Sequence, residues 1–197
     1  MAAPADMTTR DISGKFIMNK SLSDDTDEIL RLQGVGWFKR KAIAMATLYL
    51  SVKHYKDEAG IEHIDIDQTL TGGIQGTNEY RILDWTERSH EDHVFGNVLS
   101  KSRRVSLAEV DREWLKKEWL DDSLENGAII FTCAKSDTEK SGTAWSSEQT
   151  WGFEQIDGEK RYARRVHFEG PGEEIIEVRL VYDYGETDGA PPFAPVS

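Results

Sequence analysis

The sequence predicts a mainly β chain folded as an antiparallel up-and-down barrel of about ten strands, with helical segments at two places only. Three observations carry this. Apolar residues recur at period two in one short segment after another, the pattern of a strand with one buried face. Turn signals such as "DEAG", "TGG", "DG" and "GPGE" separate these segments by hairpin-sized gaps. Two stretches break the alternation with helical spacing instead.

In chain order, "GKFIMNKS" is the first strand and is followed by "DEILRLQGVGWFKRKAIAM". There Ser23 can cap a helix whose acidic first turn, Asp24 to Glu28, suits the helix dipole, and Gly34 can end it. A second helix carries Phe38, Ala42 and Met45 at helical spacing. "TLYLSVKHY" aligns Leu48, Leu50 and Val52 on one strand face, and "EHIDIDQTL" does the same with Ile64, Ile66 and Leu70. "NEYRILDW", "HVFGNVL" and "SRRVSL" continue the series. "SLAEVDREWLKKEWLDDSLENG" then reads as a helical insertion over about 106–126. Its signals are a Ser106/Glu109 capping box, an apolar stripe of Leu107, Val110 and Trp114, and an Asn126-Gly127 stop. "AIIFTCA", "SEQTWGFEQI", "KRYARRVHF" and "EIIEVRLVYDY" complete the strands. The folded domain is expected over 11–184, between polar or Gly/Pro-rich ends, 1–10 and 185–197, that read as disordered.

With 24 basic and 36 acidic side chains the net charge is −12, which disfavours nucleic acid or an anionic membrane surface as a partner. No run approaches the roughly 20 apolar residues of a membrane span. The opening residues lack the apolar core of a secretory signal, and Cys133 is the single cysteine, so a cytoplasmic monomer or weak homodimer is expected.

The order of elements, a helix-turn-helix between the first two strands of a ten-stranded meander, resembles the intracellular lipid-binding proteins, the fatty-acid- and retinoid-binding group of the calycins. Gly14-Lys15-Phe16 is similar to that family's strand start, and Gly34-Val35-Gly36 with Arg40-Lys41 to its turn and second helix. "QTWGFEQIDG" and "VRLVYDY" resemble later strands of the family. The resemblance implies a barrel whose mouth is covered by the helical hairpin as a lid, and a small hydrophobic molecule held inside. More loosely, the whole chain resembles the small calycin-like proteins of filamentous fungi, some of them from secondary-metabolite pathways. One departure concerns the last strand. Arg179 and Tyr182 are three apart and face opposite ways, so they do not form the family's carboxylate-holding pair.

Candidate ligand-binding residues follow from facing. Trp37 and Phe38 would face the cavity from the lid, although the same residues also fit a simple plug of the barrel end. Leu50 and His54 share an inward strand face; an inward His is either an acid/base or a hydrogen-bonded structural group. Tyr162, Arg164, Val166 and Phe168 share one face of their strand, and Arg165 with His167 the other. One arginine must therefore point inside, and its aromatic companions favour Arg164. Its partner is either a ligand oxygen or a carboxylate among Asp65, Asp67 and Glu154. Tyr182 faces inward on the last strand, and Tyr80 and Trp151 are further aromatic candidates.

"HEDH" at His90–His93 has no third ligand at metal spacing, and "GGIQG" lacks the helix a phosphate loop needs. No metal and no cofactor are expected, and no catalytic residue can be assigned. Two functions fit. One is binding of a lipid, polyketide or terpenoid. The alternative is a cofactor-independent isomerase or cyclase, such as a Diels-Alder-type pericyclase, using the same cavity. A weaker third is a protein-interaction module built on Trp114 and Trp119.

Overall fold

A computed structural model describes residues 1–185. Ten antiparallel strands form one sheet: β1 Gly14–Met18, β2 Leu48–Lys56, β3 Glu62–Leu70, β4 Ile74–Ile82, β5 Arg88–Asp92, β6 Gly96–Ser106, β7 Ala128–Ser136, β8 Ser146–Ile156, β9 Glu159–Glu169 and β10 Ile175–Tyr184. The spatial order is β4-β3-β2-β1-β10-β9-β8-β7-β6-β5, so every sequential pair except β4 and β5 is joined directly or through the β1–β10 closure. The sheet curls into a nearly closed barrel, and two ion pairs link strands that lie far apart in its order. Arg164 of β9 meets Glu79 of β4 at 3.0 Å, and Arg104 of β6 meets Glu62 of β3 at 2.7 Å. The edges of β4 and β5 are left as a seam.

The helical hairpin α1 Asp27–Leu32 and α2 Trp37–Met45 lies between β1 and β2, as expected. Gly34, at φ +85°, ends α1. Around it, Val35 N–H donates to Leu30 O and Gly34 N–H to Arg31 O, the paired bonds of a Schellman stop. The start differs from the expectation. Ser23 and Asp24 are not in the helix but lie alongside β10: Ser23 Oγ accepts from Val181 N–H, and Asp24 Oδ2 from Arg179 N–H. Their side chains satisfy strand donors, so the first turn begins only at Asp27.

The strand count holds while two boundaries move. "HVFGNVL" and "SRRVSL" are not separate strands. Asp92 Oδ1 accepts from the N–H groups of Val94 and Phe95, and Gly96 takes φ +74°, which places the hairpin turn at His93–Phe95. The strand before it is "RSHED", and the two quoted segments fuse into the long β6.

The insertion is not one helix. It breaks into a 3₁₀ turn Leu107–Glu109, the four-residue α3 Glu113–Lys116, and a second 3₁₀ turn Asp121–Ser123. The Ser106/Glu109 capping box does form, and Asn126-Gly127 makes a hairpin turn with both residues at positive φ. A straight helix would touch the curved barrel at few points. The broken chain follows it instead, accepting from Thr150 Oγ1 at Leu115 O and donating from Leu120 N to Phe153 O. Its Val110 and Leu115, with half-buried Trp114 and Trp119, cover Val105, Ile129 and Phe131 on the outer wall.

The N-terminal residues read as disordered are instead packed across one barrel end. Ala3, Thr9 and Ile12 are buried. Thr9 N–H donates to Asp122 O, and Ala3 N–H to Lys160 O. Backbone pairing, invisible to composition, fixes this arm. The tail from 186 onward lies outside the described residues.

Candidate functional site

The barrel interior is divided. Phe16, Leu50, Val52, Ile64, Ile66, Trp151, Phe153 and Tyr162 fill the end closed by the N-terminal arm. Under the lid, a cavity of about 300 Å³ remains open. Ile29 and Leu30 of α1 and Ile43 of α2 roof it. Leu48, Leu70, Val98, Ala134, Val166, Phe168, Val178 and Leu180 form apolar walls from six different strands. Trp145, the residue before β8, completes the wall beside Phe168.

Arg164 sits where filled core meets cavity. It is buried, and three of its features are fixed. Its Nε donates to the Tyr162 hydroxyl at 3.1 Å, its Nη1 to Glu79 Oε1 at 3.0 Å, and its guanidinium lies 4.0 Å over the Trp151 ring. Its Nη2 is buried without a hydrogen-bond partner among the described residues. Glu79 is the carboxylate partner rather than Asp65, Asp67 or Glu154, and it also takes both Nε and Nη2 of Arg81 and the amide of Gln68. Gln68 sits in an irregularity of the β3–β4 pairing, between Asp67 and Thr69, and Glu79 pairs with Ile66 just before it.

Burial alone pushes the Glu79 carboxyl up, but the Arg164 and Arg81 charges outweigh it and hold it down at about 2. Burial also opposes the Arg164 charge, yet the surrounding Tyr162, Glu79 and Tyr182 oxygens raise its pKa above the ordinary value. Burial pushes the Tyr162 phenol up to about 12 and raises that of Tyr182. At neutral pH the floor is thus two guanidiniums, one carboxylate and neutral phenols, with a net charge of +1 under apolar walls.

Of the residues expected to bind ligand, Arg164 and Tyr182 line this cavity. Leu50, Trp151 and Tyr162 lie inside the barrel but in the filled core beneath it, where Trp151 and Tyr162 support Arg164. His54 faces inward at the closed end: its Nδ1 accepts from Ile12 N–H and its Nε2 meets Glu62 at 2.7 Å, so it serves the arm rather than the cavity. Trp37 and Phe38 do not face inward; they are 56 % and 83 % exposed on the outer side of α2. Helical spacing was read there with the wrong face inward, because Arg40 is the buried residue and reaches Asp27 of α1. Tyr80, 64 % exposed, points outward because its neighbours Glu79 and Arg81 take the inward face.

The residues that sequence reasoning missed are Glu79, Arg81 and Gln68, and at the cavity rim His90 and Asp92 of β5 and the turn residue His93. An inward Arg demands an inward carboxylate, and Glu79 with Arg81 at period two was the available signal. Arg165, the outward neighbour of Arg164, is also buried: the insertion covers it, and it bonds Glu154 at 2.7 Å beneath the Trp114 ring.

No family model matches the chain. Among solved structures, a Schistosoma mansoni fatty-acid-binding protein in complex with arachidonic acid superposes with a TM-score of 0.52 at 13 % identity, covering 88 % of this chain and 96 % of that one. The fold is that of the fatty-acid-binding proteins. Two curated proteins match nearly end to end. One, described as "Probable pericyclase scpY" from Mollisia scopiformis, is 29 % identical over 184 residues, 93 % of this chain and 94 % of its own. The other, "Pericyclase pydY" from an Acremonium species, is 26 % identical over 185 residues, 93 % of this chain and 97 % of its own.

Proposed function

We propose that this protein takes a small, largely apolar molecule into the barrel cavity and catalyses a pericyclic ring closure on it. The observation that carries the reading is the end-to-end similarity to two fungal proteins described as pericyclases, in a chain whose barrel keeps an apolar cavity beside one buried arginine. Such a reaction redistributes electrons within one molecule: in a [4+2] closure two carbon–carbon σ bonds form as three π bonds are lost and one is made. No atom or electron enters or leaves, so the protein's task is to fold the chain into a reactive shape and polarise it. A cavity of about 300 Å³, at the small end of the ~300–1,000 Å³ of ligand sites, restricts the conformers that fit.

The protein works in this reading as a cytoplasmic monomer or weak dimer on a polyketide- or terpenoid-like substrate. Among the described residues no helix is long and apolar enough to cross a membrane. A second reading, carriage of an unchanged lipid, is favoured by the fatty-acid-binding fold. Incubating the protein with linear polyenes and with fatty acids, then identifying bound and released molecules by mass spectrometry and NMR, separates the two. A cyclic isomer of unchanged mass, formed faster than without protein, supports catalysis; bound but unaltered molecules throughout would refute it.

A further inference from the structure

Seven buried side-chain nitrogen or oxygen atoms lack a hydrogen-bond partner among the described residues. Two of these belong to cavity-lining residues, the Arg164 Nη2 and the Trp145 indole N–H, and both are donors. Buried donors are almost always satisfied, and leaving one unmade is costly. The cavity's own candidates for acceptor are already engaged near Arg164: Glu79 Oε1 receives Gln68 and Arg164, and its Oε2 receives Arg81 twice. No described side chain reaches either donor, and a bound molecule can supply the acceptor oxygen that each is missing.

We propose that the substrate carries two oxygen acceptors, one a carbonyl conjugated to the reacting π system that binds Arg164 Nη2, the other a second oxygen that binds the Trp145 N–H. This rests on the ring-closure reading and names its substrate class. Arg164 is then the catalytic residue. A charged donor on a conjugated carbonyl withdraws electron density from the alkene attached to it and lowers the barrier to attack by a diene, without transfer of any proton. Glu79 is the positioning residue. It holds Nη1 while Tyr162 holds Nε and Trp151 stacks on the plane, so Nη2 is the guanidinium nitrogen left without a protein partner. Arg81 on the far side of Glu79 keeps that carboxylate from neutralising Arg164 completely.

The test uses three linear probes: a conjugated triene hydrocarbon, the same chain with one terminal conjugated ketone, and the chain with a ketone at each end. Titration against tryptophan fluorescence should give affinities that rise along this series. The first carbonyl should gain roughly 10–150-fold, as for a charged hydrogen bond, and the second about 2–12-fold, as for a neutral one. Arg164→Met should erase the first gain and Trp145→Phe the second. The absorption of bound monoketone should shift to the red in the wild type, shift less in Glu79→Gln, and stay unshifted in Arg164→Met. The wild-type shift is decisive by itself, so a poorly folding variant does not blunt the test. Equal wild-type affinity for hydrocarbon and ketone, with no red shift, overturns the proposal even if the protein closes rings. Absence of turnover together with the full affinity series and the red shift would instead refute the ring-closure reading and leave the two-acceptor site standing.

Discussion

Replacing Glu154 by leucine should be among the most damaging single changes in the molecule, and it should leave the cavity untouched. Glu154 is 1 % exposed on the outer face of β8, bonded to Arg165 at 2.7 Å and to Arg179 at 3.2 Å. Arg165 is itself 2 % exposed, and its other carboxylate partner, Glu118, lies on the surface. Glu154→Leu therefore strands a buried guanidinium whose remaining ion pair is solvent-screened. Breaking a buried pair from one side costs about 3–5 kcal/mol. In a domain of this size each kcal/mol is worth roughly 2–4 °C, so Tm should fall by about 6–20 °C. Replacing both partners, Glu154→Leu with Arg165→Met, should recover most of the loss, because no unpaired charge is left behind. The assay is thermal melting by far-UV circular dichroism, with ligand titration of the folded protein at low temperature. A single variant that melts within ~2 °C of wild type, or a double variant that melts no higher than the single, would refute the reasoning that this pair is a coupled, desolvated unit.

Phe38→Ser should change neither Tm nor ligand affinity beyond about 0.5 kcal/mol, since the ring stands in solvent on α2; a large loss of affinity in titration would place it at the cavity after all. Gly152→Ala should destabilise by about 1–3 kcal/mol, because a Cβ there would meet Ser123 Cβ at 2.6 Å and Trp119 at 2.9 Å. Trypsin should then cut the insertion faster, and unaltered digestion would contradict the packing. Stability should also decline in acid. Burial raises the Glu62 carboxyl, but hydrogen bonds from His54 and Arg104 win and hold it at about 2, below its ordinary 4.5. A depressed carboxylate stabilises fully above its unfolded pKa and loses that contribution as pH falls from about 4.5 toward 2, and Glu79 titrates in the same window. Melting curves from pH 6 to 2 should slope accordingly, with a shallower acid limb in Glu62→Gln; identical slopes would exclude Glu62 as a contributor.

Period-two alternation made the strands legible, because one face of each is buried: Leu50 and Val52 on β2, Ile64 and Ile66 on β3. It also oriented β9 correctly, with Arg164 inside. The same logic misled where both faces are buried. From Tyr162 to Phe168 every residue of β9 is covered, so Arg165, which reads as a surface residue, is as enclosed as Arg164. The inversion of α2 was hidden for a related reason: a short helix with Lys39, Arg40 and Lys41 among apolar residues offers two plausible inner faces, and the ion pair from Arg40 to Asp27 selects between them. The partner of Arg164 lay beyond reach because it crosses the barrel from β4, and register across an interior is not written in any local pattern.

The covering laid by the insertion over β7, β8 and β9 makes the barrel unequal around its circumference. On that side the wall is two layers thick, with Leu115, Trp114 and the Arg165 pair bracing it from outside, and Arg164 is mounted on its inner surface. On the other side, β4 and β5 form a single layer with no backbone bonds between them. Local opening follows the path of fewest lost contacts, so amide exchange should be slowest on β8 and β9 and fastest along β4 and β5. A molecule held here would rest against a stiff anvil on the guanidinium side while the opposite wall yields to its shape. The donor keeps its aim as the substrate folds.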